Sequence, residues 1–143
     1  MKAKKLIIFC DGGAYNNPGP AAVGIVFYDN QGKEILKVSK FIGDNTNNQA
    51  EYQAVILALE VAKLKFSPSE IQFFLDSKLV VEQLAGNYKI KNQGLKPLYF
   101  QAKQLQLNIP LVLYNYIPRE KNTLADKLVK NEIKKHLSQN NWR

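Results

Sequence analysis

The chain has 143 residues, with 20 Lys and Arg against 12 Asp and Glu, a formal net charge of +8, and 45% hydrophobic residues. A chain of this size buries roughly 68–70% of the surface its unfolded form exposes, so a single domain over 1–143 is expected to fold without metal or disulfide staples. The single cysteine, Cys10, excludes an internal disulfide framework, and no apolar run reaches the roughly 18 residues of a membrane span.

These properties read as a basic, cytoplasmic domain with no membrane partner, and its excess cations point to a polyanion. Met1 to Lys5 is basic, and the apolar run Leu6 to Cys10 that follows is too short for a signal peptide. It reads instead as a strand entering the turn Asp11-Gly12-Gly13. Asn16-Asn17-Pro18-Gly19-Pro20 is dense turn chemistry. Ala22–Tyr28 reads as a second strand, Asp29 to Gly32 as a turn, and Glu34–Ile42 as a third strand, completing an antiparallel meander.

Thr46-Asn47-Asn48-Gln49 has capping-box spacing, and helix formers continue to Leu64. Ala50, Ala54, Leu57, Val61 and Leu64 form one apolar stripe, while Val55, Ile56 and Leu59 widen it, so this helix is expected to be buried on more than one side. Pro68 ends it, and Ile71–Leu75 is a buried strand reaching Asp76-Ser77. A short helix from Lys78 to Ala85 stops at Gly86. Pro97 opens the next helix, with Leu98, Ala102 and Leu105 facing one way. Leu111–Tyr116 is the fifth strand. A last helix spans Thr123 to Leu137, with Leu124, Leu128, Ile133 and Leu137 on one side. The order βββ-α-β-α-α-β-α predicts an α/β fold: a mixed five-stranded sheet, its first three strands antiparallel, flanked by helices.

The positive excess is uneven. No acid occurs between Glu82 and Glu120, where Lys89, Lys91, Lys96, Lys103 and Arg119 are interleaved with Tyr88, Tyr99 and Phe100. Such a stretch can track a phosphate backbone. It can equally be a solvated face with its aromatics turned into the core.

The acids fall at element ends. Asp11 closes the first strand and Asp76 the fourth, while Glu51 and Asp126 lie in the first turns of the long and last helices. Singly, each helical acid is accounted for by the macrodipole, and Asp76-Ser77 by helix capping. Together they imply a cluster, because Asp11 and Asp76 follow apolar runs that adjacent strands would set side by side. Two like charges near 4 Å repel by on the order of 4 kcal/mol at an effective dielectric of about 20. A cluster of this kind needs raised pKa values or a bound cation. All-oxygen sites take hard ions, Mg²⁺ or Mn²⁺, rather than zinc. His136 and Cys10 supply neither a zinc set nor a catalytic triad, and His136, beside Lys134 and Lys135, reads as a surface residue.

These residues fall into four blocks: Asp11-Gly12-Gly13 with Asn17-Pro18-Gly19-Pro20, Thr46-Asn47-Asn48-Gln49-Ala50-Glu51, Asp76-Ser77, and Asn122-Thr123-Leu124-Ala125-Asp126-Lys127-Leu128. In that order, and over nearly the whole chain, the pattern resembles ribonuclease H of type 1. The resemblance implies a ribonuclease H-like sheet and a two-metal endonuclease, Mg²⁺- or Mn²⁺-dependent, that hydrolyses the RNA strand of RNA–DNA hybrids to 5′-phosphate and 3′-hydroxyl products. It implies Asp11, Glu51, Asp76 and Asp126 as metal ligands. Gly12, Gly13, Asn47, Asn48 and Gln49 are implied as readers of the ribose 2′-hydroxyl, and Thr46 and Asn122 as phosphate contacts, although Asn122 reads equally as the N-cap of the last helix. A hybrid duplex is the expected partner of a monomer.

Two departures from the family pattern stand out. The loop before the last helix, Ile117-Pro118-Arg119-Glu120-Lys121, lacks the histidine of many members and resembles a P-R-E subgroup, which makes Arg119 a candidate contact to the scissile region. The segment Leu84 to Lys96 leaves little room for a basic protrusion, and Lys89, Lys91 and Lys96 are expected to replace it in part. The competing readings are a catalytically silent nucleic-acid-binding module on the same fold, or a nuclease of double-stranded RNA. The intact set of four acids argues against the first, and the Asn47-Asn48-Gln49 block favours ribonucleotide recognition.

Overall fold

The computed structural model describes residues 4–140; the basic start of the chain at residues 1–3 lies outside them. Apolar alternation and tight turns build three long strands, β1 (Lys5–Ala14), β2 (Gly19–Tyr28) and β3 (Glu34–Asn45), paired as an antiparallel meander. Helix α1 (Asn47–Lys65) then crosses back, and β4 (Glu70–Leu75) pairs parallel to β1. Helices α2 (Lys78–Leu84) and α3 (Lys96–Gln106) lead to β5 (Leu111–Tyr116), parallel to β4. A single 3₁₀ turn, Arg119–Lys121, precedes α4 (Thr123–Asn140). The sheet order is β3-β2-β1-β4-β5, the mixed five-stranded sheet that the element order predicts.

The core lies between the sheet and α1, where Leu6, Ile8 and Cys10 of β1 meet Tyr52, Val55 and Leu59 of α1, with Ile71 and Phe73 of β4 alongside. Helix α1 packs on both β1 and α3, so it is buried on more than one side. Its buried line differs from the expected stripe: Leu64 is 83% exposed, and Ala50, Ala54, Ala58 and Ala62 face inward. Small side chains let the helix sit close to the strands. Helix α4 crosses over β2, with β1 and β3 beside it. Its buried residues include Ala125 and Val129, whereas Leu124 is 46% exposed, for the same reason of close approach.

Several boundaries move. β1 continues past Asp11 to Ala14 because β2 keeps pairing with it, Asp11 opposite Gly24 and Ala14 opposite Ala21. Asp11 is therefore inside a strand rather than at its end. Helix α1 begins at Asn47, capped by Thr46 and Gln49 in a full capping box, which leaves Glu51 beyond the first turn. His136 is not a lone surface side chain: it stacks on Phe41 of β3 with ring centroids 3.6 Å apart.

Candidate active site

Register sets the site. Parallel pairing of β1 with β4 ends at Cys10 and Leu75, so Asp11 and Asp76 are the next residues of two adjacent strands. Glu51 arrives from α1, and its carboxylate accepts the Gly12 N–H at 2.9 Å. This approach depends on glycine, since a Cβ on Gly12 would lie 2.2 Å from the Ala50 carbonyl carbon and oxygen. Asp126 arrives on α4 by the same device: a Cβ on Gly24, the β2 partner of Asp11, would lie 2.4 Å from the Ala125 oxygen. Helix and strand backbones touch at both points, and no larger residue leaves room.

Asp11, Glu51 and Asp76 each offer an oxygen within 4.8 Å of the others, and Asp11 and Glu51 are both only 6% exposed. At that spacing each pair of charges repels by roughly 3 kcal/mol at an effective dielectric of about 20. Burial, then the charges of Asp76 and Asp126, push the Asp11 carboxyl up from 3.8 to about 8, against the pull of Arg119. Glu51 is raised by burial first and then by Asp11 and Asp76; the Gly12 N–H and Arg119 oppose the shift. Raised carboxyls mark a site where negative charge outweighs what Arg119 and Lys130 offset, and its converging all-oxygen donors fit a hard divalent cation. Asp126 completes the group, adding both charge and a side-chain hydrogen bond to the environment of Asp11, while Lys130 holds its Oδ2 at 2.9 Å.

These acids line a cleft of about 420 Å³, together with Gly12, Gly13, Asn47, Asn48, Arg119 and Lys130. Asn47 is fixed in place: its Oδ1 accepts the Ala14 N–H at 2.8 Å, and its own N–H donates to Asn17 Oδ1 at 2.8 Å. Thr46 and Gln49 bond to each other across the helix cap and line an adjoining pocket with Asn17 and Asn92. Asn48 faces both cavities. Ser77 accepts the Val80 N–H and caps α2, so Asp76 enters the site from a helix start.

Not every predicted residue converges here. Asn122, 1% exposed, lies behind Asp76 with its amide already engaged. Lys89 and Lys96 line a separate groove beside Tyr88, Tyr99 and Phe100, and Lys91 lies on the exposed surface. Of those aromatics only Tyr99 packs against the core, as the solvated-face reading has it; Tyr88 is 44% and Phe100 64% exposed. Sequence reasoning missed Gly24, whose role depends on a helix crossing. It also missed Lys130, although its i+4 spacing from Asp126 on a helix was a usable signal.

Fold and site together define an α/β domain of the ribonuclease H-like class. A family model described as reverse transcriptase-like matches residues 9–132. The ribonuclease H of Acetivibrio thermocellus is 34% identical over 149 residues, covering 93% of this chain and 97% of that protein. The bifunctional protein Rv2228c of Mycobacterium tuberculosis is 42% identical over 125 residues; the match covers 87% of this chain but 34% of that protein, so the chain spans about a third of its length. Among solved structures, LC11-RNase H1 in complex with an RNA/DNA hybrid superposes with a TM-score of 0.88 at 40% identity, covering 92% of this chain and 99% of that one. The chain belongs to the ribonuclease H type 1 family.

Proposed function

We propose that this chain is a metal-dependent endonuclease that hydrolyses the RNA strand of RNA–DNA hybrids, leaving 5′-phosphate and 3′-hydroxyl ends. One observation carries the reading: a four-acid centre and the Asn47–Asn48 amides share the wall of one cleft. Carboxylates alone would suit many metal sites. Amides beside them offer both a donor and an acceptor to a ribose hydroxyl, the group that separates RNA from DNA in the wide minor groove.

Asp11, Glu51 and Asp76, with Asp126 completing the set, would hold two divalent ions, Mg²⁺ or Mn²⁺. Bound there, the ions supply Lewis acidity that lowers the pKa of water and neutralises the scissile phosphate. The protein's part is placement. Gly12 lets α1 bring Glu51 down onto the strand, and the Gly12 N–H fixes the carboxylate. Asn47 is locked by Ala14 and Asn17, so its amide meets substrate already oriented. Arg119, on the rim, presents a permanent positive charge to a phosphate. A cytoplasmic monomer acting on stray hybrids is the setting this reading implies. It also favours catalysis over a silent binding module, since every acid of the set is present.

Strand-labelled hybrids decide the matter, compared with double-stranded RNA, with and without Mg²⁺ or Mn²⁺. Cleavage confined to the RNA of the hybrid, dependent on metal and lost in Asp76→Asn, is the expected result. Metal-independent cutting, or attack on DNA, overturns it.

A further inference from the structure

We propose that the groove between Tyr15 and helix α4 continues the substrate channel past the carboxylates and holds the backbone of the strand being cut. This inference rests on the nuclease reading above and extends it to a surface with no assigned role.

Three cavities run end to end. The pocket at Asn17, Thr46 and Asn92 shares Asn47 and Asn48 with the carboxylate cleft. The cleft in turn shares Ala14, Lys130 and Ile133 with a groove that runs on along Tyr15, Lys134 and Leu137. The acids thus stand in the middle of a channel, with a built surface on either side. A polymer cut in its interior needs such a layout, because the chain must leave the reaction centre in both directions.

The chemistry of the groove fits a sugar–phosphate backbone. Lys130 and Lys134 are one helical turn apart and lie on the same face. Both are exposed, and among the described residues Lys134 makes no ion pair while Lys130 pairs with Asp126 at the mouth. Glu132 on the same helix turns away to Ser39 of β3, whose Oγ donates to it at 3.1 Å, and it makes no ion pair with Lys134. Ile133 and Leu137, both half-buried, supply an apolar floor for sugar faces. Tyr15, 53% exposed, supplies a ring on the opposite wall. Phosphates exchange condensed counterions for lysines, and an aromatic ring stacks on sugar or base without regard to sequence. The occupant is the RNA strand, because the groove opens directly from the acids that act on it.

Lys134→Glu and Tyr15→Ala test this without touching the carboxylates or Arg119. Hybrid affinity is measured by fluorescence anisotropy across a salt series in the Asp76→Asn background, and steady-state cleavage in the wild-type background. Lys134→Glu is expected to raise KM about 3- to 10-fold with kcat unchanged, and to lower the log–log salt slope by about 0.7–0.9, the loss of one phosphate contact. Tyr15→Ala should raise KM with no change in slope. Hybrids whose RNA ends close to the cleavage site on the groove side should bind wild type and Lys134→Glu alike. An unchanged KM and slope in a variant that folds and cleaves hybrid overturns the groove alone. A wild-type protein that leaves hybrid intact overturns the nuclease reading instead.

Discussion

Asn122 donates its side-chain amide to Asp76 Oδ2 at 3.0 Å and to the Cys10 carbonyl at 2.7 Å. Standing just before α4, it ties β1 to the end of β4 at the point where their pairing stops and the two acids Asp11 and Asp76 follow. Among the described residues its buried Oδ1 has no hydrogen-bond partner, and the two donated bonds orient the amide. Removing such a supporting bond typically costs 10- to 100-fold in metal affinity or activity. Asn122→Ala is therefore expected to weaken Mn²⁺ binding, measured by calorimetry, by roughly that factor, with a stability loss of about 1–3 kcal/mol. Asn122→Asp should be worse in metal-free protein, since it sets another carboxylate against Asp76. Unchanged Mn²⁺ affinity in Asn122→Ala would remove the residue from the positioning of Asp76.

Gly24 and Gly13 make a contrasting pair. A Cβ at Gly24 collides with the α4 backbone at Ala125, whereas one at Gly13 meets Val129 Cγ1 at 3.5 Å, an ordinary contact. Gly24→Ala should lift α4, destabilising the fold by about 1–3 kcal/mol as overpacking does and carrying Asp126 away from Asp11. Gly13→Ala should stay within about 0.5 kcal/mol of wild type, as most changes outside the packed core do. Thermal melts of the two variants, side by side, check the contrast.

Much of this was legible in the residues. The capping box at Thr46 and Gln49 declares its own hydrogen bonds, and strands ending in Asp11 and Asp76 predict a cluster once they are neighbours. What stayed hidden depends on contacts between distant segments. Pairing with β2 draws β1 past Asp11, which apolar run length alone does not reveal. Gly12 reads as a turn or a substrate approach, yet its glycine is required by the Ala50 backbone. His136 looks like a surface residue among lysines until Phe41 is brought beneath it by the α4 crossing. Asn122 reads as a phosphate contact, and its burial behind Asp76 follows only from where the pairing of β1 with β4 stops.

Arg119 follows Pro118, in the 3₁₀ turn before α4, and lines the acid cleft. It is exposed, and its charge pulls both Asp11 and Glu51 downward. A permanently charged fork cannot accept a proton at neutral pH, so its contribution is to phosphate charge rather than to proton transfer. Arg119→Ala should lower turnover by at least tenfold while shifting the melting temperature by less than about 2 °C, since surface changes move stability little. Arg119→Lys should recover only part of the rate. Cleavage kinetics equal to wild type would remove Arg119 from the mechanism.

Proton linkage gives a test of the acid centre that needs no substrate. Asp11 is raised from 3.8 to about 8, chiefly by burial and then by Asp76 and Asp126, and Glu51 is raised as well. The folded, metal-free protein therefore holds protons that the unfolded chain releases above pH 4. Stability from Asp11 is fully present below about pH 4 and declines as pH rises to about 8. A divalent ion that binds only the folded state reverses this, contributing about 2.7 kcal/mol at a hundredfold excess over its Kd. In chelator, the melting temperature should be higher at pH 6 than at pH 8.5. Added Mg²⁺ or Mn²⁺ should raise it more at pH 8.5, where Asp11 is mostly deprotonated and fewer protons have to be displaced. Asp11→Asn should flatten the pH dependence in chelator and shrink the gain on adding metal. Equal metal-induced shifts at the two pH values would mean that the ions and the protons do not compete for these carboxylates.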